Sequence, residues 1–200
     1  MSQSDVDQEL VDAAQAGAAA QVSALLAEGA DPMRESSSAL RWAAKNGHGE
    51  CVRLLLPMSD PTAEGSDALR LAAANGHAEC VRLLLPFSDP KSDESWALRW
   101  AAHNGHVECV RLLLGACGPL IGINGLLEQV FYRGHAKVAA VLIGEEPRLL
   151  DKVNLPKCLA AALEKGHGDV ASYLSSLMNQ KELSSVAPDA SRFRLRAARL

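Results

Sequence analysis

A stretch of twenty residues occurs three times in this chain with a constant offset of 29 residues. The copies are SSALRWAAKNGHGECVRLLL (37–56), SDALRLAAANGHAECVRLLL (66–85) and SWALRWAAHNGHVECVRLLL (95–114), and 16 of the 20 columns are identical. A fixed period of this size is the signature of an array in which each unit packs on its neighbours. Weaker copies follow on both sides, each with a turn glycine, at Gly17, Gly134 and Gly166. The pattern therefore extends over about six units.

Each unit is predicted to form two short helices. The apolar residues of ALRWAA have the spacing of one helical face, and Ser37 or Ser38 before them is a suitable N-cap. Gly47 stands where a left-handed C-cap is needed, because glycine adopts positive φ without a Cβ clash. The second helix, CVRLLL, turns its apolar residues inward and Arg53 outward, and ends before Pro57.

Helices of about 8 to 10 residues are not stable alone in water, so these must be stabilised by stacking. The low aromatic content of 4% indicates a core of Leu, Ala and Val, which suits closely packed helices. We therefore predict an all-α helix-turn-helix solenoid of about six repeats, in one domain covering residues 1–178. The predicted units are 6–34, 37–65, 66–94, 95–124, 125–153 and 154–178, and a basic C-terminal tail, 179–200, is either helical or disordered.

The unit A-L-x-x-A-A-x-N-G-H-x-E-C-V-x-L-L-L with its S-D-P loop resembles the ankyrin repeat, and the first unit, ELVDAAQAGAAAQVSALLAEGADP, resembles an ankyrin N-terminal cap. The family's unit is about 33 residues long, opens on T-P-L-H and carries a β-hairpin finger. Here the period is 29 and Ser-Ala-Leu-Arg (38–41) replaces that opening, so we expect short or irregular fingers. The excess of Arg over Lys and the alanine bias are similar to those of bacterial ankyrin proteins.

The repeated phrase Gly-His-x-Glu-Cys contains residue types that bind zinc. Equivalent helices in a stack lie about 10 Å apart, whereas zinc ligands lie within about 2.3 Å of the ion. The fifth and sixth units carry Val138 and Val170 in the cysteine column, so we interpret Cys51, Cys80 and Cys109 as packing residues. The ankyrin resemblance implies that the histidines tie the turns together by hydrogen bonds. A metal or redox protein that uses these columns is the alternative hypothesis.

No catalytic or phosphate-binding motif stands out, so we predict neither enzymatic activity nor a cofactor. The columns that vary between units are the candidate binding positions. The ankyrin resemblance implies that the position one turn before the glycine faces a concave groove. Trp96 is either an interface anchor or a local packing residue, and the column of Trp42, Leu71 and Trp100 is expected to pack. We predict protein binding through Gln15, Lys45, Ala74, Trp96, His103, Tyr132 and Glu164.

The net charge of −4 is distributed unevenly, because residues 1–36 carry seven acids and one base, whereas residues 179–200 carry five bases and two acids. The tail arginines therefore offer a second alternative, an adaptor for nucleic acid, an anionic membrane or an acidic partner. The start of the chain lacks a secretory pattern, and its longest uncharged stretch is shorter than the roughly 20 residues that cross a bilayer. We expect a monomeric cytoplasmic protein. The tail arginines are Arg192, Arg194, Arg196 and Arg199.

Overall fold

A computed structural model describes residues 2–117 and 125–197, and within 184–197 it describes only the backbone, as also at residue 182. The described residues contain no β-strand, and they form twelve α-helices with short 3-10 turns at Leu56–Met58, Leu85–Phe87 and Pro147–Lys152. The all-α prediction is confirmed. The α-helices are α1 (Gln3–Ala16), α2 (Ala19–Ala27), α3 (Arg34–Lys45), α4 (Gly49–Leu55), α5 (Ala63–Ala74), α6 (Ala78–Leu84), α7 (Ser92–His103), α8 (Val107–Cys117), α9 (Leu126–Arg133), α10 (Ala136–Glu145), α11 (Leu155–Glu164) and α12 (Gly168–Ala197).

The helices form two stacked layers. Each odd-numbered helix packs on the next odd-numbered helix, and each even-numbered helix packs on the next even-numbered one. In the three close repeats the odd-numbered helices approach one another more closely than the even-numbered helices do. We call the layer of odd-numbered helices the inner layer and the layer of even-numbered helices the outer layer.

The identical columns of the repeat form the core between the units. In α3, Ala39, Leu40, Ala43 and Ala44 are buried, and the equivalent residues of α5 and α7 are buried with them. In the outer layer, the columns of Cys51, Val52 and Leu55 are buried in the same way. Each fully buried leucine contributes roughly 1.5 to 3 kcal/mol, so the leucine and alanine columns supply the stacking energy that the short helices lack alone.

Left-handed turns stand where β-fingers would lie between the close repeats. Glu35, Ser36 and Ser37 have φ values of 49°, 56° and 60°, and residues 64–66 and 93–95 repeat this conformation. The right-handed part of each first helix begins only after this turn. The prediction of short or irregular fingers is confirmed.

The prediction of a serine N-cap is wrong, because the side chain of Ser37 bonds to the loop at the end of its own unit and not to its own helix. The hydroxyl of Ser37 accepts a hydrogen bond of 2.9 Å from the backbone N–H of Asp60, and Ser66 accepts one of 2.8 Å from Asp89. In the first repeat, a carboxylate oxygen of Asp7 accepts the equivalent bond from Asp31 at 2.8 Å. The serine column therefore fixes the loop at the end of each unit to the start of that unit's first helix, instead of capping this helix.

The last helix continues beyond residue 178, where the sequence predicted the end of the repeat domain. Helix α12 contains 30 residues and is about 45 Å long, so the backbone of residues 179–197 is helical. Near residue 178, Lys181 forms an ion pair of 3.8 Å with Asp151. The side chains of the tail arginines, which the sequence offers as an anionic-partner site, lie outside the described residues; they are Arg192, Arg194, Arg196 and Arg199.

Candidate binding surface

The glycine–histidine turns join each repeat to the one before it. Gly76 has a φ of +82°, and a Cβ atom placed on it would lie 2.6 Å from Nδ1 of His106 in the next repeat. The Nε2 atom of His106 lies 3.1 Å from the carbonyl oxygen of Ala74, and because a carbonyl only accepts, Nε2–H is the donor. His48 and His135 make the same bond, at 3.0 Å each. These histidines have a structural role.

The cysteine column is buried between the units. Cys51, Cys80 and Cys109 are at most 1% exposed. Burial, with a smaller contribution from Glu79, raises the pKa of Cys80 to about 11, and burial, with Glu108, does the same for Cys109. These thiols are therefore protonated at neutral pH, whereas metal binding and disulfide exchange require the thiolate. Where the structure describes side chains, in residues 2–117, 125–181 and 183, no three His, Cys, Asp or Glu are grouped so that they could hold a metal ion.

A row of aromatic rings runs along the exposed side of α7. The ring centroids of Trp96 and Trp100 are 5.2 Å apart, and those of Trp100 and His103 are 5.1 Å apart. The three residues follow one another at spacings of four and three, which places them on one face of the helix. Trp100 is 40% exposed, so this row presents aromatic surface to solvent on the inner layer.

Cation–aromatic pairs continue this surface in both directions along the stack. On α3, the Nζ atom of Lys45 lies 4.3 Å from the centroid of the Trp42 ring. Beyond α7, the Nζ atom of Lys165 lies 4.0 Å from the ring centroid of Tyr132, which is 54% exposed. The inner layer therefore carries aromatic groups with adjacent positive charge on helices α3 and α9 as well as α7.

Helix α5, between α3 and α7, carries short side chains at the same positions. Leu71 occupies the column of Trp42 and Trp100, and Ala74 occupies the column of Lys45 and His103. Leu71 and Ala74 are half-buried. The inner surface consequently has a depression over α5, because the side chains of α5 project less far than those of α3 and α7.

Ion pairs lie at the end of this surface that is next to the left-handed turns. Arg41 reaches Asp67 of the next repeat at 3.3 Å, and Asp67 also pairs with Arg70 at 3.1 Å. Arg70 pairs in turn with Asp93, and its guanidinium carbon lies 5.4 Å from the centroid of the Trp96 ring. The guanidinium group of Arg70 therefore holds the aromatic row of α7 against α5.

The electrostatic setting of His103 favours its neutral form. Burial is the largest cause that lowers the pKa of His103, and the positive charge of Arg133 and the neighbouring His135 add to it. At neutral pH this residue therefore presents an uncharged aromatic ring next to Trp100.

Six of the seven predicted binding residues occupy equivalent positions of the inner layer and Trp96 lies in another column, but only some of the seven are in contact. Trp96 and His103 belong to one aromatic row, which Trp100 completes, whereas Gln15 and Glu164 are exposed at the two ends of the stack. Sequence reasoning left three members out, and the available signal was that their columns vary between units. The residues it missed are Trp42, Trp100 and Lys165.

The stacked helix pairs define a protein built from helical repeats. The family model for ankyrin repeats, which describes three copies, matches residues 10–93 and 57–124, and together these cover more than half of the chain. The chain belongs to the ankyrin repeat family. No curated protein matches it. Ankyrin repeats are generally protein-interaction modules and typically non-enzymatic scaffolds.

The helices were compared with the length and apolar character of a membrane-spanning segment. Among the described residues, no helix combines the length and the apolar character that crossing a bilayer requires.

Proposed function

We propose that this chain binds a partner protein through the concave face of its inner layer, without enzymatic activity. The observation that carries the proposal is the aromatic row of α7 with the cation–aromatic pairs beside it. Aromatic and cationic side chains are enriched at protein interfaces, and a rigid array fixes them before the partner arrives. The proposed contacts are Gln15, Lys45, Ala74, Trp96, His103, Tyr132 and Glu164.

The contacts of the side chains in the varied columns also support this proposal, because they differ from the contacts made by the turn histidines. Lys45 and Tyr132 contact other side chains of the inner surface, whereas His106 is bonded to the neighbouring repeat. The side chains of Lys45 and His103 thus contact aromatic rings of their own helices, whereas the side chain of His106 holds two units together. The function proposed for the cysteine and histidine columns, metal or redox chemistry, receives no such support, because these side chains are already used in packing and hydrogen bonds.

The test is affinity capture with the intact chain and with a variant carrying Lys45→Glu, His103→Ala and Tyr132→Ala. We expect the captured partner to be lost from the variant while its helicity, measured by circular dichroism, is retained. A matched control carries Arg82→Ala and Lys137→Glu, two exposed positions of the outer layer. Unchanged capture by the inner-layer variant, or equal loss in the control, would show that binding occurs elsewhere.

A further inference from the structure

We propose that the partner contributes an α-helix that carries apolar residues flanked by carboxylates, and that this helix lies along α5. The inference rests on the proposed function and specifies the partner's chemistry. Its site, the inner channel, is the depression over α5. The floor of the channel is formed by Leu71 and Ala74, and its walls by Trp42 and Lys45 on one side and Trp96, Trp100 and His103 on the other.

The lengths of the side chains match the geometry of a helix that packs over three neighbours. Adjacent helices lie about 10 Å apart, and a fourth helix packed about 9 Å above the middle one would lie about 13 Å from each outer axis. Contact with all three helices therefore requires side chains on α3 and α7 that reach about 4 Å further than those on α5. The chain has this pattern, with Trp42 and Trp100 on the outer helices and Leu71 between them.

The channel is also long enough to hold a short helical segment. From Asp67 to Ala74, helix α5 rises about 10 Å, which corresponds to about two turns of a bound helix. The end beside the left-handed turns is closed by the ion pairs of Asp67 with Arg41 and Arg70. The half-buried floor and the indole rings of the walls make the channel an apolar surface suited to helix-in-groove recognition.

The charges around the channel favour an acidic flank on the partner helix. Arg41, Lys45 and Arg70 are three cations, and the carboxylates paired with the arginines are Asp67 and Asp93, which leaves one net positive charge. Within the described residues, the ammonium group of Lys45 lies against the Trp42 ring and forms no ion pair with a carboxylate. An Asp or Glu of the partner placed at this wall would meet an available cation, whereas a Lys or Arg would be repelled.

The test is selection of random 18-residue peptides, displayed on phage, against the intact chain. We expect enriched peptides with apolar residues at spacings of three and four, with Asp or Glu beside them, and a gain of helicity on binding. All three tryptophans of the chain line the channel, so their fluorescence reports occupancy. Enrichment of basic peptides, of peptides without helical spacing, or of none at all would overturn the proposal.

A second experiment uses a variant in which larger side chains on α5 fill the channel. The double variant Leu71→Trp and Ala74→Lys gives α5 the residues that α3 carries in the same columns, so the stack should accept them. We expect the affinity of the selected peptides to fall at least about 30-fold, the effect of losing one strong anchor. The control Ala78→Val introduces the residue that Val107 supplies at the equivalent outer position, and it should leave the affinity unchanged.

The outcomes separate this inference from the proposed function. Peptides that tolerate the filled channel but are lost with Lys45→Glu, His103→Ala and Tyr132→Ala would overturn the helix along α5 and leave concave-face binding in place. Peptides that tolerate both variants would overturn both. The single variant Ala74→Lys, with its thermal unfolding measured beside the intact chain, distinguishes a blocked channel from a damaged fold.

Discussion

His103 and His106 lie three residues apart in the fourth repeat, yet they belong to two different regions of the molecule. His106 follows the turn glycine, packs on Gly76 of the preceding repeat and donates to the carbonyl of Ala74. His103 lies on the inner layer and contacts only the ring of Trp100 among the aromatic groups of its own helix. The side chain of His106 is thus used in a contact between units, whereas that of His103 contacts a ring of its own helix.

This difference explains why one histidine recurs and the other does not. A side chain that fits against the neighbouring unit must suit the same surroundings in every repeat, so the sequence repeats with the structure. A side chain on the inner surface has no such constraint, and the column of His103 contains Lys45, Ala74 and Tyr132 in other units. The comparison predicts large losses of stability at the turns and small ones on the inner face.

The largest effect is expected at Gly76. Gly76→Ala imposes a positive φ on a residue with a Cβ and places that Cβ against the His106 ring, so we expect a loss of about 3 kcal/mol. Gly166→Ala is the matched control, because Gly166 has a φ of +75° but nothing within 4 Å of the added Cβ. There we expect about 1 kcal/mol, from backbone strain alone. Urea denaturation measures both, and equal losses would show that the histidine contact is unimportant.

The second effect compares the two histidines directly. His106→Ala removes the bond to the Ala74 carbonyl and the packing on Gly76, and we expect it to destabilise the chain by about 2 kcal/mol. His103→Ala should change the free energy of unfolding by less than about 0.5 kcal/mol. Peptide binding should show the reverse order, with the larger loss at His103. If His103→Ala proves as destabilising as His106→Ala, the division into two regions is wrong.

The repeat made much of this architecture predictable from the sequence. The spacing of alanines and leucines defined the helix pairs, and Val138 and Val170 in the cysteine column identified Cys80 as a packing residue. These features depend on the pattern within one unit and its exact recurrence, which a single sequence displays.

Other features depend on contacts between residues that are distant in the sequence, and they could not be predicted in this way. Ser37 was expected to cap its own helix, but it accepts a bond from Asp60, 23 residues further along the chain. Trp100 was expected to pack, but it is 40% exposed, and its ring lies beside that of Trp96, which Arg70 contacts from α5. Local propensity also gives no indication of the left-handed turns, since Glu and Ser residues rarely adopt positive φ.

The smallest effect is expected at one of these left-handed turns. Glu94 has a φ of 56°, and the equivalent residue of the preceding repeat is Gly65, with a φ of 66°. Glu94→Gly removes the Cβ clash of this conformation, so we expect a gain of about 0.5 kcal/mol after the entropy of the unfolded glycine is included. The exposed ion pair of Glu94 with Arg99 at 3.7 Å contributes little against this gain.

Glu94→Ala separates the backbone effect from the loss of charge. It removes the same carboxylate but keeps a Cβ at positive φ, so it should bring no gain in the midpoint of urea denaturation. A gain in both variants would attribute the effect to the charge, and a loss in Glu94→Gly would show that the turn is not strained. Because the turn connects the inner layer to the ion pairs that close the channel, neither variant should alter peptide binding if the channel is held by α5 and its two neighbours.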